Sequence, residues 1–300
     1  MLSAQAGQSY RQLTQKHPGW LQVPGALVRP DCVHEIPEGA AVNFSDDDRS
    51  GDDVTLNGQI IAHYDPCPEA PIDTRHLVQE PTTGNGWVQA SQWDVPLKSG
   101  DNIDWMQGYW IVPSIPKTNG ALVYLFNGIE PTGGGVIMQP VLQHGSNGAF
   151  GGNYWVIASW LAKQTSSNSY YSKPLGVNPG DLLVGTTEQT GASGGKLYYL
   201  VDAYDSNTGA NTRLSVWSTG HQWVWAYAGV LEAYYVTSCS EYPASGVTNF
   251  FAISVAHGYP NLDYFNPLGF YGAEYDYFGH GGPQCNFNVK VAGSSSTLYF

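Results

Sequence analysis

The feature that most limits what this chain can fold into is its punctuation. From Trp87 onward, short apolar or alternating runs recur between clusters of Gly, Pro and Asn: 121–127, 135–143, 154–161, 182–186, 196–204, 213–217, 223–236, 249–256 and 287–291. Their lengths and their β-branched and aromatic content predict strands. No segment carries sustained helical periodicity with caps. Many strands joined by turns, with no crossover helices, predict an all-β protein, an antiparallel double-sheet β-sandwich. The absence of a clean internal repeat argues against a propeller.

The expected division is 1–86, an irregular, disulfide-closed lobe packed on the sandwich, and 87–300, the sandwich itself. The first part is richer in Pro, Asp and His. Within it, 54–62 reads as a hairpin turning at Asn57-Gly58. The acidic stretch Asp46-Asp47-Asp48 and Gly51-Asp52-Asp53 reads as a solvated turn, because Ca²⁺-loop spacing is absent. Pro66, Pro68, Pro71 and Pro81 mark a linker. Whether this lobe is a propeptide-like cover or a permanent piece is left open by the sequence.

Composition narrows the function classes. Of 300 residues 42% are apolar, enough for a substantial core, and no apolar run approaches the ~20 residues that span a bilayer. Acidic residues outnumber basic ones 25 to 12, a net charge of −13 that repels nucleic acid. Only 12% of residues are charged, so few ion pairs are lost when carboxylates are protonated, which suits an acidic medium. Cys32, Cys67, Cys239 and Cys285 lack CxxC or Cys/His metal spacing and predict disulfides. Three pairings are possible. Cys32 with Cys67 and Cys239 with Cys285 are chosen because each closes a moderate loop. With the glycosylation sequon at Asn43 and no apolar leader in 1–19, the chain reads as a mature secreted protein. The reading calls for no cofactor and no metal, no nucleic-acid or membrane partner, and a monomer.

In a sandwich, chemistry projects from a concave sheet face, so polar residues facing inward on apolar strands are informative. Alternation in 135–143 puts Ile137, Gln139, Val141 and Gln143 on one face; in 223–236 it groups Val230, Glu232, Tyr234 and Val236. Pro140, lacking a ladder donor, predicts an edge or a bulge there. On pattern alone, Glu232 is more simply a carboxylate on a solvated sheet face.

Asn127-Gly128-Ile129-Glu130, then Gly135-Val136-Ile137-Met138-Gln139, and downstream Leu231-Glu232-Ala233-Tyr234, resemble the eqolisin family, glutamic peptidases of the scytalidoglutamic type. The order also holds for the aromatic strand Tyr154-Trp155-Val156-Ile157-Ala158-Ser159-Trp160 and the turn Pro179-Gly180-Asp181. The resemblance covers roughly 105–240. It implies a sandwich fold, a polypeptide substrate and a catalytic pair at Glu232 and Gln139, with substrate against Trp110, Trp160 and Tyr234 and with Glu130, Gln143 and Ser159 at the rim. Departures are Glu130 for the family's Asp, Pro140 for Thr, Ser159 for Glu and Leu231 for Ala. Neprosin-type glutamic peptidases, which use two Glu residues, are more distant.

The implied chemistry is coherent: a carboxylate takes a proton from water while a permanently neutral carboxamide donates to the oxyanion. Gly-x-Ser-x-Gly and HExxH are absent, and the eight histidines are dispersed. His144 is expected to border the cleft, while His257 and His280 are read as loop histidines with Asp263 or Asp276 as potential neighbours. The competing reading is a polysaccharide-binding or polysaccharide-hydrolysing sandwich, suggested by ten Trp and twenty Tyr, with Glu130 and Glu232 as its acid pair. A non-catalytic relative of the peptidases is the third.

Overall fold

The computed structural model describes residues 10–45, 50–75, 86–163, 168–266, 269–274 and 285–300. The acidic triplet at 46–48, Pro81, Asp276 and His280 lie outside the described residues. The fold is all-β, two large sheets in a sandwich with a small third sheet laid on one outer face.

The first large sheet runs, in spatial order, β21 (Tyr271–Glu274), β8 (Gly86–Asp94), β18 (Trp223–Tyr234), β10 (Leu122–Pro131), β11 (Val136–Ser146), β12 (Gly151–Lys163), β13 (Ser169–Ser172) and β3 (Val33–Ile36), with β14 (Leu175–Val177) also paired to β12. The second runs β22 (Asn288–Ala292), β23 (Ser295–Tyr299), β19 (Val247–His257), β9 (Trp105–Ile111), β15 (Leu182–Ser193), β16 (Lys196–Asp205), β17 (Asn211–Thr219), β4 (Ala41–Ser45), β5 (Asp52–Leu56) and β6 (Gln59–Tyr64), with β20 (Asp263–Tyr264) on β19. The small sheet is β1 (Leu21–Val23), β2 (Ala26–Val28) and β7 (Ile72–Asp73), preceded by the short helix α1 (Tyr10–Lys16).

Alternation sorts side chains into two apolar layers. Between the large sheets lie Trp110, Leu125, Met138, Trp155, Leu161, Leu214, Leu231 and Phe250. On the other face of the first sheet, Tyr124, Phe126, Val141, Trp160, Val230 and Tyr234 pack against Tyr10, Leu13, Val23, Leu27, Val28 and Ile72 of the N-terminal region. That region is more than an appendage. β3 pairs parallel with β13, and β4 pairs parallel with β17 and carries β5 and β6, so these strands extend both large sheets. The β5–β6 hairpin turns at Asn57-Gly58, both at positive φ, as the sequence predicts. Disulfides Cys32–Cys67 and Cys239–Cys285 are formed.

Pro140 departs from expectation. It sits mid-strand in β11, between β10 and β12, and is paired with Ser159. Opposite it, Asn127-Gly128 open a gap in the β10–β11 ladder, and the facing strand β18 bulges at Ala228. A missing N–H costs little where the ladder is already interrupted.

Candidate active site

The register of the first sheet places each candidate. Glu232 of β18 and Gln143 of β11 flank Tyr124 of β10 in one row. Gln139 of β11 lies four residues along, beside Gly128, in a row whose β18 member is Tyr227. All point to the face covered by the small sheet.

Four residues of rise and two strand spacings separate Glu232 from Gln139, about 16 Å between their Cα atoms. Gln143 is nearer to Glu232, about 10 Å on the same measure. Gln139 is instead a diagonal neighbour of Glu130, which follows the Ile129–Met138 pair at about 7–8 Å. One water reaches both Glu232 and Gln139 only if their side chains lean toward each other over Phe126.

Glu232 is fully buried. Its Oε1 accepts from the Gly25 main-chain N–H at 2.7 Å and from the Tyr234 hydroxyl, while Oε2 meets no partner among the described residues. Burial is the dominant influence and pushes its pKa up to about 7. The bonds from Tyr234 and Gly25, the charge of Arg75 and the Trp87 indole pull the other way. The Gln139 carboxamide is also buried, with neither its oxygen nor its nitrogen partnered among the described residues. Such orphaned polar groups are costly in a core unless water or a ligand meets them.

The other expected residues divide. Tyr234 and Trp160 lie on the covered face; the Tyr234 hydroxyl also meets the Thr74 hydroxyl at 2.6 Å, and Trp160 packs on Tyr171 and Phe150. Gln143 is there too, but its amide is committed: Nε2 donates to the Gly145 and Phe150 carbonyls, and Oε1 accepts from Asn147. Glu130 forms a buried ion pair with Arg75 at 2.6 Å and accepts from the Tyr227 hydroxyl at 2.6 Å.

Trp110 and Ser159 are placed elsewhere than expected. Trp110 belongs to β9 of the second sheet and packs on Phe250 between the sheets. Ser159 alternates with Ala158 and Trp160, so its hydroxyl points into the sandwich and donates to the Thr212 carbonyl at 2.8 Å. His144 likewise turns inward against Trp155, where burial lowers its pKa. His257 lies 3.9 Å from both Asp101 and Asp263. Asn43 is half-buried and accepts from Lys196, while the other sequon residues belong to the same strand β4.

Sequence reasoning missed Tyr124, Gly25, Thr74 and Arg75. Tyr124, beside Glu232, donates its hydroxyl to the Gln22 carbonyl at 2.6 Å. Alternation along β10 placed it on the same face as Glu130, so it was open to discovery; the three lobe residues carried no local signal.

No protein-family profile matches the chain, and no curated protein matches it in sequence. Among solved structures, it is similar to scytalido-glutamic peptidase crystallised with a transition-state analogue inhibitor. The identity is 13% and the TM-score 0.43, over 71% of this chain and 97% of that one.

Proposed function

We propose that the chain is a secreted, acid-acting glutamic endopeptidase in which Glu232 is the acid–base group and Gln139 the oxyanion donor. One observation carries the reading: a buried carboxylate with a strongly raised pKa shares a sheet face with a buried carboxamide that has no partner among the described residues. In the reaction, Glu232 takes a proton from the attacking water and then delivers it to the leaving amine. Gln139 donates an N–H to the oxygen on which charge develops. Opening the face to water weakens the desolvation that raises the Glu232 pKa, returning it toward the ordinary carboxylate range and favouring activity in acid. Two formed disulfides fit an oxidising compartment.

The polysaccharide-hydrolase reading with Glu130 and Glu232 is disfavoured. Glu130 faces Trp225 while Glu232 faces Tyr124, six residues of rise or about 20 Å between Cα positions, so that even with both side chains leaning together the carboxyl groups stay beyond the ~5–9.5 Å of glycosidase pairs. Occlusion of the face by the lobe favours one other reading, a relative of the peptidases that keeps the sandwich for a non-catalytic use.

The test is hydrolysis of denatured casein at about pH 2–5 in the presence of chelators and of serine- and cysteine-directed inhibitors. Activity that survives these reagents, vanishes in Glu232→Gln and falls by ~10²–10³-fold in Gln139→Ala supports the proposal. Activity unchanged in Glu232→Gln would sink it.

A further inference from the structure

The face that carries Glu232 and Gln139 is occupied by the chain's own N-terminal region, and the contacts are of a particular kind. The β1–β2 hairpin turns at Pro24-Gly25, closed by the Val23–Ala26 pair, with Gly25 at φ 80°. Proline followed by a residue at positive φ is the signature of a type II turn, and glycine adopts that conformation without steric cost. This turn delivers main-chain groups to the site. The Gly25 N–H reaches the Glu232 carboxylate, and the Gln22 carbonyl accepts from Tyr124.

Peptide N–H to the carboxylate and peptide C=O to a hydroxyl donor are contacts that a polypeptide substrate would also make. The return strand adds Thr74, bonded to Tyr234, and Arg75, paired with Glu130. α1 closes the end, Tyr10 lying 4.9 Å from Tyr234 and 5.0 Å from Tyr235 between ring centroids.

Resting on the peptidase reading, we infer that the hairpin 21–28 with 72–75 is a tethered blocking segment that fills the substrate groove by imitating a bound polypeptide. The tether is visible on both sides. β2 leads to Cys32 and β7 follows Cys67, so the disulfide joins the two arms of the segment. Beyond it, β3, β4, β5 and β6 are strands of the large sheets. The segment therefore swings away without being lost from the molecule, and a cut between Cys32 and Cys67 leaves its two arms joined. The blocked form keeps Glu232 from water, and its proper occupant is an extended polypeptide whose main chain replaces Gln22 and Gly25.

The test opens the segment in the full-length protein and reads the site in two independent ways. Gly25→Pro removes the N–H that Glu232 accepts and cannot adopt positive φ; Arg75→Met removes the anchor to Glu130 while leaving the hairpin intact. The first readout is carbodiimide labelling of the Glu232 carboxyl, located by peptide mass spectrometry, and the second is casein hydrolysis in acid. Native-like dichroism selects the variants that have folded.

Wild type should label slowly and hydrolyse little, and the opened variants should label faster by roughly tenfold or more, as expected when a local opening becomes more populated. Hydrolysis should rise with labelling. Increased labelling without hydrolysis would leave the block standing and overturn the peptidase reading. Wild-type labelling as fast as in the opened variants, or full wild-type hydrolysis with the segment in place, would overturn the block. Should neither variant fold, amide exchange of wild type decides: Gly25 exchanging faster than Leu125 and Leu231 supports a segment that opens by itself, and identical rates refute it.

Discussion

Buried Glu232 should impose a measurable pH dependence on stability. Its pKa is about 7 in the folded protein against an ordinary 4.5. Below the ordinary value, both folded and unfolded chains hold the proton and stability is at its full value. Between 4.5 and 7 the unfolded chain releases the proton first, so the unfolded state binds fewer protons and stability falls as pH rises. The difference of 2.5 units, at about 1.36 kcal/mol per unit, amounts to roughly 3 kcal/mol lost by pH 8.

Burial also raises the pKa of Asp104, Glu188 and Asp202, which act in the same direction. Depressed His34 and His144 act oppositely. Comparison with Glu232→Gln removes these contributions. The amide oxygen still accepts from Gly25 and Tyr234, and the strain of its nitrogen at the unpartnered position does not titrate. Urea unfolding of both proteins at about pH 4.5 and 8 should therefore show the wild-type loss exceeding that of the variant by roughly 3 kcal/mol. Parallel losses would refute the assignment of a raised pKa to this carboxylate.

Lys163→Met should destabilise by about 3–5 kcal/mol in chemical denaturation, because Asp52, held by Lys163 at 2.9 Å and by the Tyr170 hydroxyl at 2.7 Å, would keep a buried charge without its cation. Unreduced peptide mapping should recover the 32–67 and 239–285 linked peptides, and replacing either cysteine pair with serine should cost ~2–4 kcal/mol in thermal or urea melts. Ser159→Ala and Trp110→Phe should lower stability while leaving the KM for any polypeptide substrate unchanged, since both side chains lie between the sheets. A KM shift in either variant would contradict that placement.

Much of this protein is legible in its residues one strand at a time. Period-two alternation follows from backbone geometry, so the order of residues alone assigns Gln139, Val141 and Gln143 to one face, and likewise Glu232 with Tyr234. Asn57-Gly58 names its own turn because both positions tolerate positive φ. Loop length favours the two local cysteine pairs among three possible pairings, and the fold forms them.

What strand-by-strand reading cannot supply is register between strands and the far partner of each face. The bulge at Ala228 brings Tyr227, rather than the residue that simple alternation gives, level with Gln139. Counting by twos therefore fails across it, and the spacing of Glu232 from Gln139 is fixed only when β18, β10 and β11 are aligned. Ser159 and Trp110 have suitable chemistry for a cleft but face the opposite layer, which depends on strand phase and on which sheet receives β9.

The segment that covers Glu232 lies 207 residues away in sequence at Gly25. No local propensity encodes such a contact. It exists because the outer face of the first sheet is apolar enough to require a cover, and the chain's N-terminal region supplies it.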